Sequence, residues 1–213
     1  MIYDNKIAKQ IAELLLQINA IILQPDNPFK WASGWNSPIY CDNRKTLSYP
    51  EIRNFIRKGL ADIIRNYYKS ANVIAGVATA GIPHGVLVAE ELGLPFIYVR
   101  SKPKEHGKRN LIEGVFEKGQ SVILVEDLIS TGKSSLEAAE ALNENGMHTK
   151  GIASIFTYGF DIASNNFEKE NFEYISLCDY NTLITQAINE GYINKKDFAL
   201  LKDWNKNPSI WKK

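Results

Sequence analysis

Two adjacent carboxylates, Glu126 and Asp127, follow the unbroken apolar run Val122 to Val125 and precede a loop that carries Ser130, Thr131, Gly132 and Ser134. A continuous Val/Ile/Leu run reads as a buried parallel strand, and in open α/β sheets ligands bind just beyond the carboxyl ends of such strands. The loop leads into a helix expected over Ser134 to Asn143, with Leu136, Ala139 and Leu142 at helical spacing. Free N–H groups at a helix start, joined by Ser and Thr hydroxyls, make an anion cradle suited to a phosphate. The two acids would repel a bare phosphate but accept hydrogen bonds from sugar hydroxyls, so the expected ligand is a ribose 5-phosphate moiety. As plain structure the same stretch would be a strand, a loop and a helix capped by Ser130 or Thr131. Paired acids at the end of a buried strand need an electrostatic reason, however, which favours the binding site. Gly132, Lys133 and Ser134 lack the glycines of a P-loop or of a dinucleotide-binding fingerprint.

The elements that must position these residues follow from periodicity. Asp4 can cap a first amphipathic helix running to about Leu23, with Ile7, Ile11, Leu14, Leu15 and Ile18 on its apolar face. The segment from Gln24 to Tyr49, rich in Pro, Asn, Ser and aromatics, reads as a hood of loops and short strands. A second helix follows Pro50, with Ile52, Phe55, Ile56 and Leu60 facing inward. Strands and helices then alternate: Val73 to Val77, Ile82 to Leu92, Pro95 to Val99, Ser121 to Val125, Ser134 to Asn145 and Thr149 to Thr157. Phe172 to Leu177 reads as one more strand, and Tyr180 to Glu190 and Asp197 to Trp204 as closing helices. The fold class is α/β: a mostly parallel twisted sheet with helices on both faces and a small N-terminal hood. Residues 1–213 form one domain, residues 1–50 supplying the first helix and the hood.

With 213 residues and 45% hydrophobic content, the chain can bury a sizeable core. A formal net charge of +1 gives no reason to expect nucleic acid as a partner. No long apolar segment argues for a membrane span, and the first helix has no cleavage site of a signal peptide. Cys41 and Cys178 stand far apart without metal-ligand spacing, as expected of reduced thiols in a cytoplasmic protein.

Between the strands ending at Val99 and beginning at Ser121 lie Arg100, Lys102, Lys104, His106, Lys108 and Arg109, punctuated by Pro103 and Gly107. This stretch has almost nothing to bury and reads as a mobile cationic loop. Beside a phosphate site such a loop could close over a diphosphate, neutralise charge and exclude water. GVATAGIPHG, residues 76–85, places small residues where a backbone must approach a ligand or a neighbouring strand, and His84 reads as a packing or helix-surface residue.

The run VILVEDLISTGKSS resembles the phosphoribosyltransferase signature of two acids followed by a Thr-Gly loop. SGWNSPIYCDNRKTLSYP (Ser33 to Pro50), GVATAGIPHG and RSKPKEHGKRNLIEG (Arg100 to Gly114) resemble, in order and spacing, blocks of the orotate phosphoribosyltransferase family. The resemblance implies transfer of a phosphoribosyl group from phosphoribosyl pyrophosphate to orotate, with magnesium as cofactor bound mainly through substrate and water. It assigns phosphoribosyl pyrophosphate to Arg100, Lys104, His106 and the run Glu126, Asp127, Leu128, Ile129, Ser130, Thr131, Gly132, Lys133 and Ser134. Lys104 and Asp127 are the implied catalytic residues, and Ser33, Tyr40 and Ser130 the implied orotate contacts, with Gly34 and Cys41 alongside. The family uses the cationic loop in the neighbouring subunit's site, so a homodimer is implied. Three departures stand out: Ala32 replaces a Lys that often precedes Ser-Gly, Ala80 stands where some members carry a Lys, and no Arg lies near Thr157 and Tyr158. Transfer to a different nucleobase and a non-catalytic sensor of phosphoribosyl pyrophosphate are the alternatives. The sensor is disfavoured because the first seventy residues hold neither a helix-turn-helix pattern nor a positive stripe.

Overall fold

The computed structural model describes residues 1–31, 33–102 and 111–211. Its centre is a six-stranded sheet built from β5 (Val73–Val77), β6 (Phe96–Val99), β7 (Ile112–Glu113), β8 (Ser121–Ile129), β9 (His148–Thr157) and β10 (Tyr174–Asp179). The spatial order is β10-β9-β8-β5-β6-β7, all parallel except the edge strand β7, which runs antiparallel to β6. Sequence order reverses between β5 and β8, and these two strands sit at the middle of the sheet. Such a reversal opens the crevice in which α/β sheets bind ligands.

Both faces of the sheet are covered, which is why β5 and the first half of β8 are uninterrupted apolar runs. On one face Ile74, Ile123, Val125 and Ile155 join the buried sides of α1 (Asn5–Gln17), α2 (Pro50–Tyr67) and α6 (Tyr180–Asn189). On the other, Val73, Ala75, Val122 and Leu124 pack with Ala138, Ala139 and Leu142 of α4 (Lys133–Glu144) and with Phe167 of α5 (Asp161–Lys169). In α2, Ile52, Ile56 and Leu60 are buried as their spacing predicts, and Phe55 is half-buried.

The first helix is shorter than expected. Asp4 caps it, its carboxylate accepting from the N–H groups of Lys6 and Ile7, but α1 ends at Gln17. Asn19 takes a left-handed conformation at φ 51°, a region Asn tolerates better than most residues. Ile21–Leu23 then forms β1, paired antiparallel with β4 (Ile39–Cys41). The hood adds a second hairpin, β2 (Phe29–Lys30) with β3 (Asn36–Ser37).

The last helix, α7 (Phe198–Lys206), clamps the hood to the sheet. Trp204 donates its indole N–H to the Asn36 carbonyl at 3.1 Å, and Asn205 donates to the Tyr158 carbonyl at 2.7 Å. Trp31 lies edge-on to Trp204 and tilted against Tyr158, with ring centroids 5.7 and 5.2 Å away. Trp31 and Trp35 therefore serve mainly to pack the hood, whereas Tyr40 keeps 40% of its surface exposed.

Candidate active site

β8 extends four residues beyond the expected end at Val125, so Glu126 and Asp127 lie inside its last turn of pleat rather than in the following loop. Glu126 pairs in register with Ser154 of β9, and Leu128 with Phe156. Glu126 is buried at 4% exposure, and Asp127 is partly open.

Glu126 is anchored from three directions. It accepts from the Asp127 N–H at 3.1 Å, from the Ser135 hydroxyl at 3.1 Å and from the Ser134 hydroxyl at 3.3 Å. Burial, and then the neighbouring Asp127 charge, push its carboxyl well above the usual carboxylate range. Burial also raises Asp127, opposed by its hydrogen bond with Glu126. The adjacent acids thus titrate as a pair in which Glu126 retains its proton longer.

The buried acid has a consequence for stability. A carboxyl whose folded pKa is raised contributes stability that is fully present below its unfolded pKa and is lost as pH rises through the folded value. Glu126→Gln keeps acceptor and donor positions for Asp127 and Ser135 while removing the charge. The ligand-free variant should melt with wild-type protein near pH 4 and above it at neutral pH, by about 2–4 °C for each kcal/mol recovered in a chain of this size. Thermal denaturation across that pH range measures this directly, and a variant less stable than wild type at neutral pH would contradict the ionisation cost.

The loop after β8, Ser130 to Gly132, leaves α4 without a side-chain cap. Gly132 occupies the N-cap position at φ 78°, and neither Ser130 nor Thr131 caps the helix, so the purely structural role for those hydroxyls does not hold. An uncapped helix start presents free N–H groups to an anion. The loop is braced from behind by α5, where Asn166 donates to the Thr131 carbonyl at 3.0 Å. A Cβ on Gly132 would come within 2.5 Å of the Phe167 ring, and its positive φ strains other residues too.

The second small-residue loop sits beside this one. It runs from Ala78 to Ala80 between β5 and α3 (Gly81–Leu92), which lacks a side-chain cap. A Cβ on Gly81 would collide with the Val125 carbonyl oxygen, so glycine there lets α3 press against β8 just before the acids. His84 is buried in α3, its Nε2 without a hydrogen-bond partner, and burial pushes its pKa down to about 4. It is a neutral packing residue.

Arg100 extends from the end of β6 and pairs with Glu113 of β7 at 3.6 Å. It shares a cavity of about 380 Å³ with Ala78, which follows β5, with Ser134 at the start of α4, and with Glu137, Glu140 and Glu144 of that helix. Lys104, His106, Lys108 and Arg109, together with Pro103, Gly107 and Ala32, lie outside the described residues.

A separate cavity of about 320 Å³ opens between hood and sheet. Tyr40, Cys41 and Ser130 line it, joined by Leu128 and by Trp31 and Tyr158 as aromatic walls. Ser33 is exposed and does not line it. Burial pushes the Cys41 thiol well up, so it is a neutral wall group and not a nucleophile.

Two further residues have no signal in the sequence patterns. Lys30 lines the hood cavity. Asn43, fully buried, donates its amide to the Asp127 carbonyl at 2.7 Å across a separation of 84 residues. Its own carbonyl accepts from the Thr46 hydroxyl at 2.6 Å, fixing the hood's 3-10 turn (Asn43–Ser48) against the end of β8.

A central parallel strand carrying an acid pair near its end, followed by an uncapped helix start under a separate hood, defines a phosphoribosyltransferase-type α/β domain. The family model described as "Phosphoribosyl transferase domain" matches residues 47–182. An orotate phosphoribosyltransferase of Cytophaga hutchinsonii is 55% identical over 205 residues, covering 96% of this chain and 98% of that protein. One from Listeria innocua is 54% identical over 207 residues, covering 97% and 99%. The solved orotate phosphoribosyltransferase of Aeropyrum pernix matches with a TM-score of 0.75 at 25% identity, over 86% of this chain and 99% of that one. The chain belongs to the orotate phosphoribosyltransferase family.

Proposed function

We propose that this protein transfers the phosphoribosyl group of phosphoribosyl pyrophosphate to orotate, giving orotidine 5'-monophosphate and diphosphate. The observation that carries the reading is the junction at the end of β8. There the acid pair, the uncapped start of α4 and the hood cavity meet through consecutive residues, Glu126 to Ser134. In this arrangement the N–H groups and hydroxyls of residues 130–134 hold the 5-phosphate. Asp127 and Glu126 accept hydrogen bonds from the ribose hydroxyls and stabilise positive charge growing on the ring. The flat base lies between the aromatic walls of the hood cavity, its anionic nitrogen attacking ribose C1 with inversion as diphosphate departs. Arg100, Lys104 and His106 are assigned to the leaving diphosphate, whose charge they would neutralise.

Magnesium suits this donor set. Among the described residues no group of three or more His, Cys, Asp or Glu side chains is arranged to hold a metal. The acid pair offers carboxylate oxygens to ribose hydroxyls or to magnesium-bound water, beside a substrate that brings its own phosphates, the setting in which magnesium keeps much of its water. When bound, the ion neutralises charge developing on the diphosphate.

The same reading makes the enzyme a homodimer with shared sites, supported by a cationic segment with little to bury. It places the protein in the cytoplasm, supported by two free thiols, and gives it no nucleic-acid partner. No helix among the described residues is long and apolar enough to cross a membrane.

Side-by-side absorbance assays with phosphoribosyl pyrophosphate and magnesium should show orotate consumed far faster than uracil, adenine, guanine or hypoxanthine. A purine turning over better than orotate would sink the assignment.

A further inference from the structure

We propose that Lys30 is the specificity residue that recognises the carboxylate of the acceptor base. The inference deepens the proposed function and rests on it, because it assumes that the hood cavity receives orotate. The cavity walls are Trp31, Tyr40, Leu128 and Tyr158, with the Ser130 hydroxyl and the neutral Cys41 thiol between them. Among the described residues, Lys30 is the one charged residue in that lining. Orotate differs from uracil by a single carboxylate, so the feature that separates the two ligands is an anion, and the cavity offers one cation to meet it.

Lys30 is placed for this role by its hairpin. It pairs antiparallel with Asn36, and its neighbour Trp31 is held by an indole hydrogen bond to the Ile39 carbonyl at 3.2 Å. The flanking Phe29 ring lies 5.6 Å from the Tyr40 ring, so the strand that carries Lys30 is fastened on both sides to other parts of the hood. Among the described residues no salt bridge engages Lys30, which leaves its ammonium available to a ligand. A stem that runs along aromatic surface and a head that stays in water is the usual disposition of a lysine at a cavity mouth. The site would then read the base in two ways: ring faces select a flat heterocycle, and Lys30 selects the one with a carboxylate. It also accounts for an acceptor site that has neither a lysine at position 32 nor an arginine near Thr157 and Tyr158.

Orotidine and uridine 5'-monophosphates test the idea as a matched pair, because they differ only in that carboxylate. Their dissociation constants should be measured on wild type, Lys30→Met and Lys30→Arg, alongside the KM values for orotate and phosphoribosyl pyrophosphate. Lys30→Met should weaken orotidine 5'-monophosphate and raise the orotate KM by about 10- to 100-fold, the range of one charge-assisted hydrogen bond. Affinity for uridine 5'-monophosphate and the KM for phosphoribosyl pyrophosphate should hold, which also shows that the variant is folded. Lys30→Arg should retain most of the preference. Equal weakening of the two nucleotides, or no change in either, overturns the role of Lys30 while wild-type turnover of orotate still stands. Wild-type protein that fails to use orotate overturns the function itself.

Discussion

Asp127→Asn should lower kcat/KM for orotate by about 30- to 1000-fold, a loss of about 2–4 kcal/mol in transition-state stabilisation, on the scale of removing one preorganised electrostatic group. The reason lies in what the substitution leaves in place. Asn43 holds the main-chain carbonyl of residue 127, and the strand register continues through Leu128 and Ile129. The side chain is replaced by one of the same shape, so the loss is that of a charge. A second signature separates this from a general defect. Part of the upward push on Glu126 comes from the Asp127 carboxylate, behind the larger contribution of burial. With that charge gone, the residual activity should show its acid limb moved to lower pH, and kcat/KM is the quantity that reports the free enzyme. A folded variant with near-wild-type turnover would refute the role given to Asp127.

The acid pair was legible because β8 combines two signals that rarely coincide by packing alone, a fully apolar half-strand and adjacent charges at its end. The main sheet was legible for the same reason: β5, β8 and β9 are buried on both faces, so their composition is set by the sheet itself. The end of α1 was not. Ile21–Leu23 continues the apolar character of the helix before it, and the break depends on one residue, Asn19, whose left-handed backbone leaves no periodic trace. α5 leaves little trace in the sequence because a nine-residue helix that buries only Ala163 and Phe167 gives a weak stripe, although it braces the loop before α4 through Asn166.

The same distinction holds within the site. Tyr40, Cys41 and Ser130 could be grouped by resemblance, and they line one cavity. Asn43 and Lys30 could not, because a single Asn in a polar hood and a single Lys on a short strand fit solvent equally well. Only the fold shows that the first reaches Asp127 and the second borders the cavity. Ser33 illustrates the converse: its place in a recognisable block does not bring it to the cavity wall, since the hairpin turn leaves it exposed.

Lys104→Ala and Asp127→Asn should each be nearly inactive alone, yet an equal mixture, once subunits have exchanged, should recover roughly a quarter of wild-type activity. The expectation follows from the proposed dimer with shared sites. Residues 100–109 carry Arg100, Lys102, Lys104, Lys108 and Arg109 and have little apolar surface to settle on their own core. Such a composition suits service in a neighbouring active site, where it would neutralise the departing diphosphate. In a Lys104→Ala homodimer both sites lack the loop charge, and in an Asp127→Asn homodimer both lack the ribose acid. In a heterodimer the two defects fall in one site and the other site is whole. Random exchange makes about half of the dimers mixed, each with one working site of two, which gives the quarter. Mass or tag measurements establish that exchange has occurred. Full exchange without any return of activity would mean that Lys104 acts in the site of its own chain, because each site of the mixed dimer would then carry one of the two defects.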